Sequence, residues 1–206
     1  MVEDIVVICE KPDSVSWEQI SEVLVESHAE NRQNGVYMPY PHLPPDEIRK
    51  KIEGRGIMLV AMMDEKLVGT AAMVFLNKKL WCGSGKYAYC CFASILPEYN
   101  GKGIYKEMCR IQEEMAREAG LNMMMFDTHE KNSRNLGHSI KAGYKFVDLK
   151  FYRDHYNVVM VKGLDGCPYS SLRCSLSFFK RKWYVKTRTL LGRLKQLGGI
   201  KTHLDV

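Results

Sequence analysis

Asn100-Gly101-Lys102-Gly103-Ile104-Tyr105 follows a strand-like run that stops at Pro97 and opens the most regular helical pattern in the chain. A strand that enters a helix through glycines gathers unpaired backbone N–H groups at the positive end of the helix dipole, a ready site for phosphate. Gly101 and Gly103 let the backbone approach closely, and Lys102 adds a cation. Each N–H to a charged oxygen contributes about 1.5–3 kcal/mol, so a few of them together hold a pyrophosphate. The implied chemistry is binding of a phosphorylated ligand; a plain strand-to-helix turn is the alternative. Two familiar phosphate loops are excluded: GxxxxGK[ST] does not occur, and Gly101-x-Gly103 lacks the third glycine of a dinucleotide fingerprint.

Proton-transfer candidates lie downstream. His129 and Glu130 sit just past an apolar strand, and the intrinsic pKa of a histidine suits it to take a proton from an amine. A solvated loop pair is the alternative. Tyr89 and Cys91 fall within a central strand, where packing competes with function. Upstream, the segment AENRQNGVYMPYPHLPPDE carries Tyr37, Tyr40 and His42 among prolines at 39, 41, 44 and 45, which stiffen it. Those three side chains could stack on or hydrogen-bond a small amine or sugar, or simply pack.

These residues need elements to position them. The pattern reads as a strand over Val2–Cys9, then a helix from Trp17 to His28 capped by Ser16. The Pro-rich segment follows as an irregular loop, and a short helix capped by Asp46 runs through Ile52. Ile57–Leu76 reads as a hairpin around Asp64-Glu65-Lys66, and Tyr87–Leu96 as a further strand. Ile104, Met108, Ile111 and Met115 recur at helical spacing within Gly103–Ala119, with Glu113 placed to pair with Arg117. Leu121–Asp127 is apolar at nearly every position, as a strand covered on both faces would be. A helix over Asn132–Ala142 and strands over Tyr144–Phe151 and Tyr156–Val161 complete an α/β chain with a mixed sheet.

This layout resembles the GNAT (GCN5-related N-acetyltransferase) superfamily over about Val2 to Lys162. That superfamily carries [QR]-x-x-G-x-[GA] after its fourth strand, in register with Asn100 to Tyr105; Gly103 matches, while Asn100 and Tyr105 depart from the pattern. Asn132 through Gly143-Tyr144 matches the second motif in layout and length. The resemblance implies a mixed, largely antiparallel sheet of about seven strands with helices on both faces. It implies acetyl-CoA as co-substrate, held by Asn100, Gly101, Lys102, Gly103, Ile104 and Tyr105, with backbone N–H groups of Ser94 and Ile95 meeting the acetyl oxygen. Asn132 and Asn135 would reach the pantetheine arm, and Ser139 stands where many members carry the tyrosine that protonates the leaving thiolate. His129, Glu130 and Ser139 are therefore the catalytic candidates, and Tyr37, Tyr40, His42 and Tyr89 the acceptor-binding ones. Cys90 or Cys91 as an acyl-carrying nucleophile is disfavoured, because direct transfer to an amine needs no covalent enzyme intermediate. The expected reaction is acetyl transfer to a primary amine of a small molecule such as an amino sugar, with a protein N-terminus or non-catalytic acyl-CoA binding as rivals.

Bulk properties bound this reading. A chain of 206 residues with 46% hydrophobic content supports one sizeable core. The N-terminal run reads as a strand rather than a signal peptide, and no apolar run is long enough to span a membrane. Seven cysteines with no CxxC pair suggest free thiols in a reducing cytoplasm and no zinc site. Charge divides sharply along the chain. Residues 1–166 carry 21 Lys and Arg against 23 Asp and Glu, while 167–206 carry nine against Asp205 alone. The expected organisation is thus an acetyltransferase domain over 1–166 and a basic helical appendage over 167–206. In the appendage Leu176, Phe179, Trp183, Leu190, Leu194 and Leu197 fall on one face. Such a helix suits docking, homodimer formation or contact with an anionic membrane surface; nucleic acid is disfavoured because no recognised motif accompanies the charge.

Overall fold

The structure is a computed structural model that describes residues 6–36, 42–80, 83–152 and 155–164, together with Phe179, Trp183 and Thr187. Strands β1 (Val6–Glu10), β2 (Gly56–Met63), β3 (Lys66–Leu80), β4 (Gly83–Ile95), β5 (Met123–His129), β6 (Lys145–Phe151) and β7 (Tyr156–Gly163) form one sheet in the order β1-β2-β3-β4-β5-β7-β6. Every neighbouring pair is antiparallel except β4 and β5. Helices α1 (Trp17–Ser27), α2 (Ala29–Gln33), α3 (Pro45–Ile52), α4 (Ile104–Glu118) and α5 (Ser133–Lys141) surround it.

The helical periodicities fix which face each helix covers. Ile20, Val23 and Leu24 of α1 and Ile48 and Ile52 of α3 pack on Met58, Val60, Ala72 and Val74. The alternate residues of the same strands, Leu59, Ala61 and Ala71, point the other way, onto Ile104 and Met108 of α4. Leu136 of α5 packs beside Phe126, Val158 and Met160 on the α4 side. The sheet is thus covered on both faces, which is why β5 reads as an almost unbroken apolar run.

Local chemistry sets the joints. Ser16 caps α1 in a reciprocal capping box with Gln19. Asp64 and Glu65 turn the β2–β3 hairpin with φ of 48° and 64°, a strained tight turn for side-chain-bearing residues. The segment after α1 differs from the irregular loop its composition suggests: Ala29–Gln33 forms the short helix α2, with His28 as the residue shared between the two helices. Helix α3 starts one residue before Asp46, with Pro45 in its first turn and no side-chain cap. Tyr37 and Tyr40 lie outside the described residues, as does the basic segment 167–206 apart from Phe179, Trp183 and Thr187, which are helical. Among the described residues no helix is long and apolar enough to cross a membrane.

Two departures from regular pairing shape the centre. β4 pairs with β5 only at Tyr87–Met123, Ala88–Met124 and Tyr89–Met125; beyond Tyr89 the two strands part and β4 is held by β3 alone. On that free stretch the β3 register slips between Thr70, opposite Ser94, and Ala72, opposite Cys91. Phe92 occupies this bulge with φ +53°, and the Thr70 hydroxyl pins it by donating to the Phe92 carbonyl at 2.8 Å. A bulge bends and twists its strand, so the end of β4 swings away from β5 and the sheet opens into a split.

Candidate active site

A cleft of about 600 Å³ lies over the open end of the split. Its floor is Ala93, Ser94 and Ile95 at the end of β4. One wall is the turn Pro97–Tyr99, the Asn100–Gly103 loop and the first turn of α4, continued by the start of α5. The opposite wall is the end of α1 and α2, including His28, Glu30, Asn31 and Asn34.

The first wall is built for an anion. Gly101 and Gly103 adopt φ of +82° and +80°, a region open to glycine at little cost. Gly103 is the residue before α4 and offers no side-chain cap, so the first-turn N–H groups of a 15-residue helix receive none from that position. A Cβ at Gly101 or Gly103 would meet nothing within 4 Å, so conformation and access, rather than crowding from the protein itself, select glycine at both. Lys106, Lys131 and Arg134 line the same side. Lys102 lies outside the lining, with its ammonium 5.3 Å from the Tyr99 ring centre. The opposing wall carries one carboxylate, Glu30, among amides.

The cleft continues inward. Ala93, Tyr105, Asn135 and His138 border both the cleft and a smaller chamber of about 60 Å³ within the split. That chamber runs from Cys91 and Asp127, on the α1 side of the sheet, to Gln112, Ser139 and Tyr144 on the other. Gln112 is 4% exposed, and its Nε2 has no hydrogen-bond partner among the described residues. A ligand arm bearing a carbonyl would satisfy it. An uncapped helix start flanked by cations, joined to a narrow chamber with an orphaned buried donor, fits coenzyme A: phosphates at the wall, pantetheine arm inward.

The model of the acetyltransferase (GNAT) family matches residues 17–138, more than half of the chain and every residue that lines the cleft. The chain belongs to the GNAT acetyltransferase family. Membership implies acyl transfer from a coenzyme A thioester, and the seven-stranded sheet is the GNAT-like fold. Among solved structures, a ribosomal-protein-S18-alanine N-acetyltransferase from Escherichia coli superposes with a TM-score of 0.62 at 10% identity, covering 81% of this chain and 99% of its own. A PaiA N-acetyltransferase from Thermoplasma acidophilum in complex with coenzyme A gives 0.60 at 20%, covering 78% and 99%. An acetyltransferase from Streptococcus agalactiae gives 0.61 at 18%, covering 77% and 98%. At such identities the likeness is one of fold. A comparison with curated proteins gave no match.

Within this GNAT frame the expected site residues separate into two groups. Ser94, Ile95, Asn100, Gly101, Gly103, Ile104, Tyr105, Asn132 and Asn135 all line the cleft. Asn132 also caps α5, its Oδ1 accepting from the Asn135 N–H at 3.2 Å while its amide donates to Thr128. Tyr105, where the family pattern has Gly or Ala, tilts against the His138 ring with centroids 5.0 Å apart, bridging the gap between α4 and α5. Burial, and then the Cys109 thiol, raises its phenol well above the ordinary tyrosine range. Ser139 borders the inner chamber, but its hydroxyl donates to the Asn135 carbonyl at 2.8 Å.

The other group lies apart. His129 is 2% exposed, borders neither cavity, accepts the Lys131 N–H on Nδ1 and stacks on His155 at 4.7 Å. Glu130 also lines neither cavity. His42 is exposed and outside the cleft lining. Tyr89 faces the α1 side, where its hydroxyl donates to Asp127. Burial raises the Cys90 thiol, pushes Cys91 up to about 12 and Cys109 to about 11, so none forms the thiolate a covalent acyl-cysteine route requires.

Asp127 and His28 are among the residues that enter the site from outside the sequence expectations, beside Glu30, Lys106, Gln112, Lys131 and Arg134. Asp127 is a carboxylate inside the split, and the signal for it was present: one acid inside MMMFDTH, a run covered on both faces. His28 lines the cleft as the joint between α1 and α2, 7% exposed, with Nε2 2.9 Å from Ser94 Oγ. At the end of an amphipathic helix its residue type gave no such signal.

Proposed function

We propose that the protein is an N-acetyltransferase that moves the acetyl group of acetyl-CoA directly to a primary amine of a small molecule such as an amino sugar. The observation that carries this reading is the continuity of one cleft from the cation-lined start of α4, across the end of β4, to the Glu30 wall. Donor and acceptor sides thus face each other over a floor that no strand pairs with on the β5 side.

Each part has a physical role. Backbone N–H groups between Gly101 and the first turn of α4 bind the pyrophosphate, with Lys106, Lys131 and Arg134 adding charge. Asn135 and Gln112 orient the arm that passes inward. Acetyl-CoA supplies an activated acyl group to this arrangement. On the unpaired edge of β4 the Ile95 N–H faces away from β3 and is offered to the carbonyl oxygen as negative charge develops there, where preorganised donors give the largest benefit. Glu30 favours an amine that approaches as a cation and loses its proton to water in the open cleft. Because the Ser139 hydroxyl is engaged with a helix carbonyl, the thiolate takes its proton from solvent as well.

That engagement of Ser139 also favours a second reading, a protein that binds acyl-CoA without turnover. A panel of primary amines, assayed for release of free CoA thiol from acetyl-CoA, decides between them. Thiol release with at least one small amine, and acetylated product by mass, is expected. Tight CoA binding with no thiol release from any amine would leave the binding protein.

A further inference from the structure

We propose that Ser94 orients the attacking amine through its side-chain hydroxyl, and that His28 is the positioning residue that holds this hydroxyl in place. The inference rests on the acetyl-transfer reading above and adds a residue pair on the acceptor side of it.

The hydrogen-bond directions follow from the atoms present. Asn31 places its amide nitrogen, which can only donate, 3.1 Å from His28 Nδ1. Nδ1 therefore accepts, and a neutral ring must carry its hydrogen on Nε2, which lies 2.9 Å from Ser94 Oγ. Burial, and then the Arg32 charge on α2, hold the His28 pKa down at about 4, so the ring is neutral across the physiological range. The ring is not used to cap α2, although His28 is the residue that precedes that helix. It spans 66 positions of sequence to reach one hydroxyl.

With one Oγ lone pair taken by His28, Ser94 keeps a second lone pair and its own proton. Ser94 sits on the cleft floor between the phosphate wall and the Glu30 wall, on the side of β4 that faces α1. An amine entering along the Glu30 wall donates an N–H to Oγ and turns its own lone pair toward the thioester carbonyl. No bond forms or breaks at Ser94 or His28, and no proton is transferred between them. With Nδ1 turned to Asn31 and Nε2 to Ser94, the ring presents no free nitrogen to the amine, which suits the positioning role rather than that of a base.

The test is steady-state kinetics of the full-length protein with acetyl-CoA and glucosamine, or the best amine of the panel should glucosamine not react. Ser94→Ala and His28→Ala should each lower kcat by about 10- to 100-fold, the scale of a misoriented reactant, without raising KM for acetyl-CoA. His28→Gln, whose amide can donate near the Nε2 position, should restore most of the rate. The double variant should be no slower than the worse single variant, as expected for two residues acting as a unit. Unchanged kcat in both single variants, or losses that multiply in the double variant, would overturn the proposal. A fall in thermal stability that fully accounts for lost rate, with no rescue by His28→Gln, would also overturn it in favour of a purely structural contact. If wild type turns over no amine at all, the acetyl-transfer reading fails first and this one with it.

Discussion

Tyr89 occupies the last position at which β4 and β5 pair, opposite Met125, and its hydroxyl reaches forward to donate to Asp127, the next residue on the same face once pairing has stopped. The Asp127 side chain is 5% exposed; it also accepts from Lys150 on Oδ1 and from the Asn157 amide on Oδ2 at 2.7 Å. This carboxylate replaces, at the mouth of the split, the backbone bonds that the two strands give up. Asp127→Ala leaves three donors without their acceptor and should lower the unfolding free energy by about 2–3 kcal/mol in urea titration. Tyr89→Phe should cost about 1 kcal/mol, and in the Asp127→Ala background almost nothing. Additive losses would show that the two residues do not act together.

The pH dependence of stability has a defined sign at His28. Its folded pKa of about 4 lies below the ordinary 6.5, so the unfolded chain binds more protons between those values and stability rises with pH there. The neutral-ring contribution is fully present above about pH 6.5 and is lost as pH falls through the folded value near 4. The shift corresponds to roughly 3 kcal/mol. Urea titrations from neutral pH down to pH 4 should show that loss in wild type and a shallower one in His28→Gln. Parallel curves for the two proteins would refute the assignment.

Lys106, Lys131 and Arg134 line the wall proposed to hold the phosphates. Replacing any one by Gln should weaken coenzyme A binding by about 0.3–1 kcal/mol at low salt, and the difference should shrink as ionic strength rises and charges are screened. Calorimetric titrations at two salt concentrations read this directly. A salt-independent loss would mean that the side chain contributes by packing instead.

His129 provides the sharpest contrast between residue type and position. A histidine acting as the amine's base would make His129→Ala slow the reaction more at about pH 6–8 than at higher pH, where the amine is already neutral. Its burial against His155, outside both cavities, instead predicts an unchanged pH–rate profile and a loss of stability. A profile altered only in the neutral range would restore the base role.

The loop at Gly101–Gly103, the order of elements and the turn at Asp64-Glu65 were legible because each depends on local rules: glycine at positive φ, helical spacing, a tight hairpin. The acceptor side was not legible. His28 meets Ser94 only because α1 and the end of β4 are brought together by Ile20, Val23 and Leu24 packing against the same core cluster as Phe92, a relation no local pattern encodes. His129 shows the converse: its residue type suits acid–base work, while its place at the end of β5 stacks it on His155. The opening of β4 from β5 depends on Phe92, whose positive φ a hydrophobic aromatic does not advertise.

In the proposed mode of binding, the start of α4 holds the pyrophosphate of coenzyme A. Calorimetric titration of coenzyme A into wild type and into Gly103→Val tests it most directly, since a branched residue at φ +80° both strains the turn and covers the N–H groups. One coenzyme A per chain is predicted for wild type, with affinity reduced at least about tenfold in the folded variant, equivalent to 1.4 kcal/mol. Folded wild type that binds no coenzyme A, or a folded Gly103→Val that binds it equally well, would rule out this pyrophosphate site.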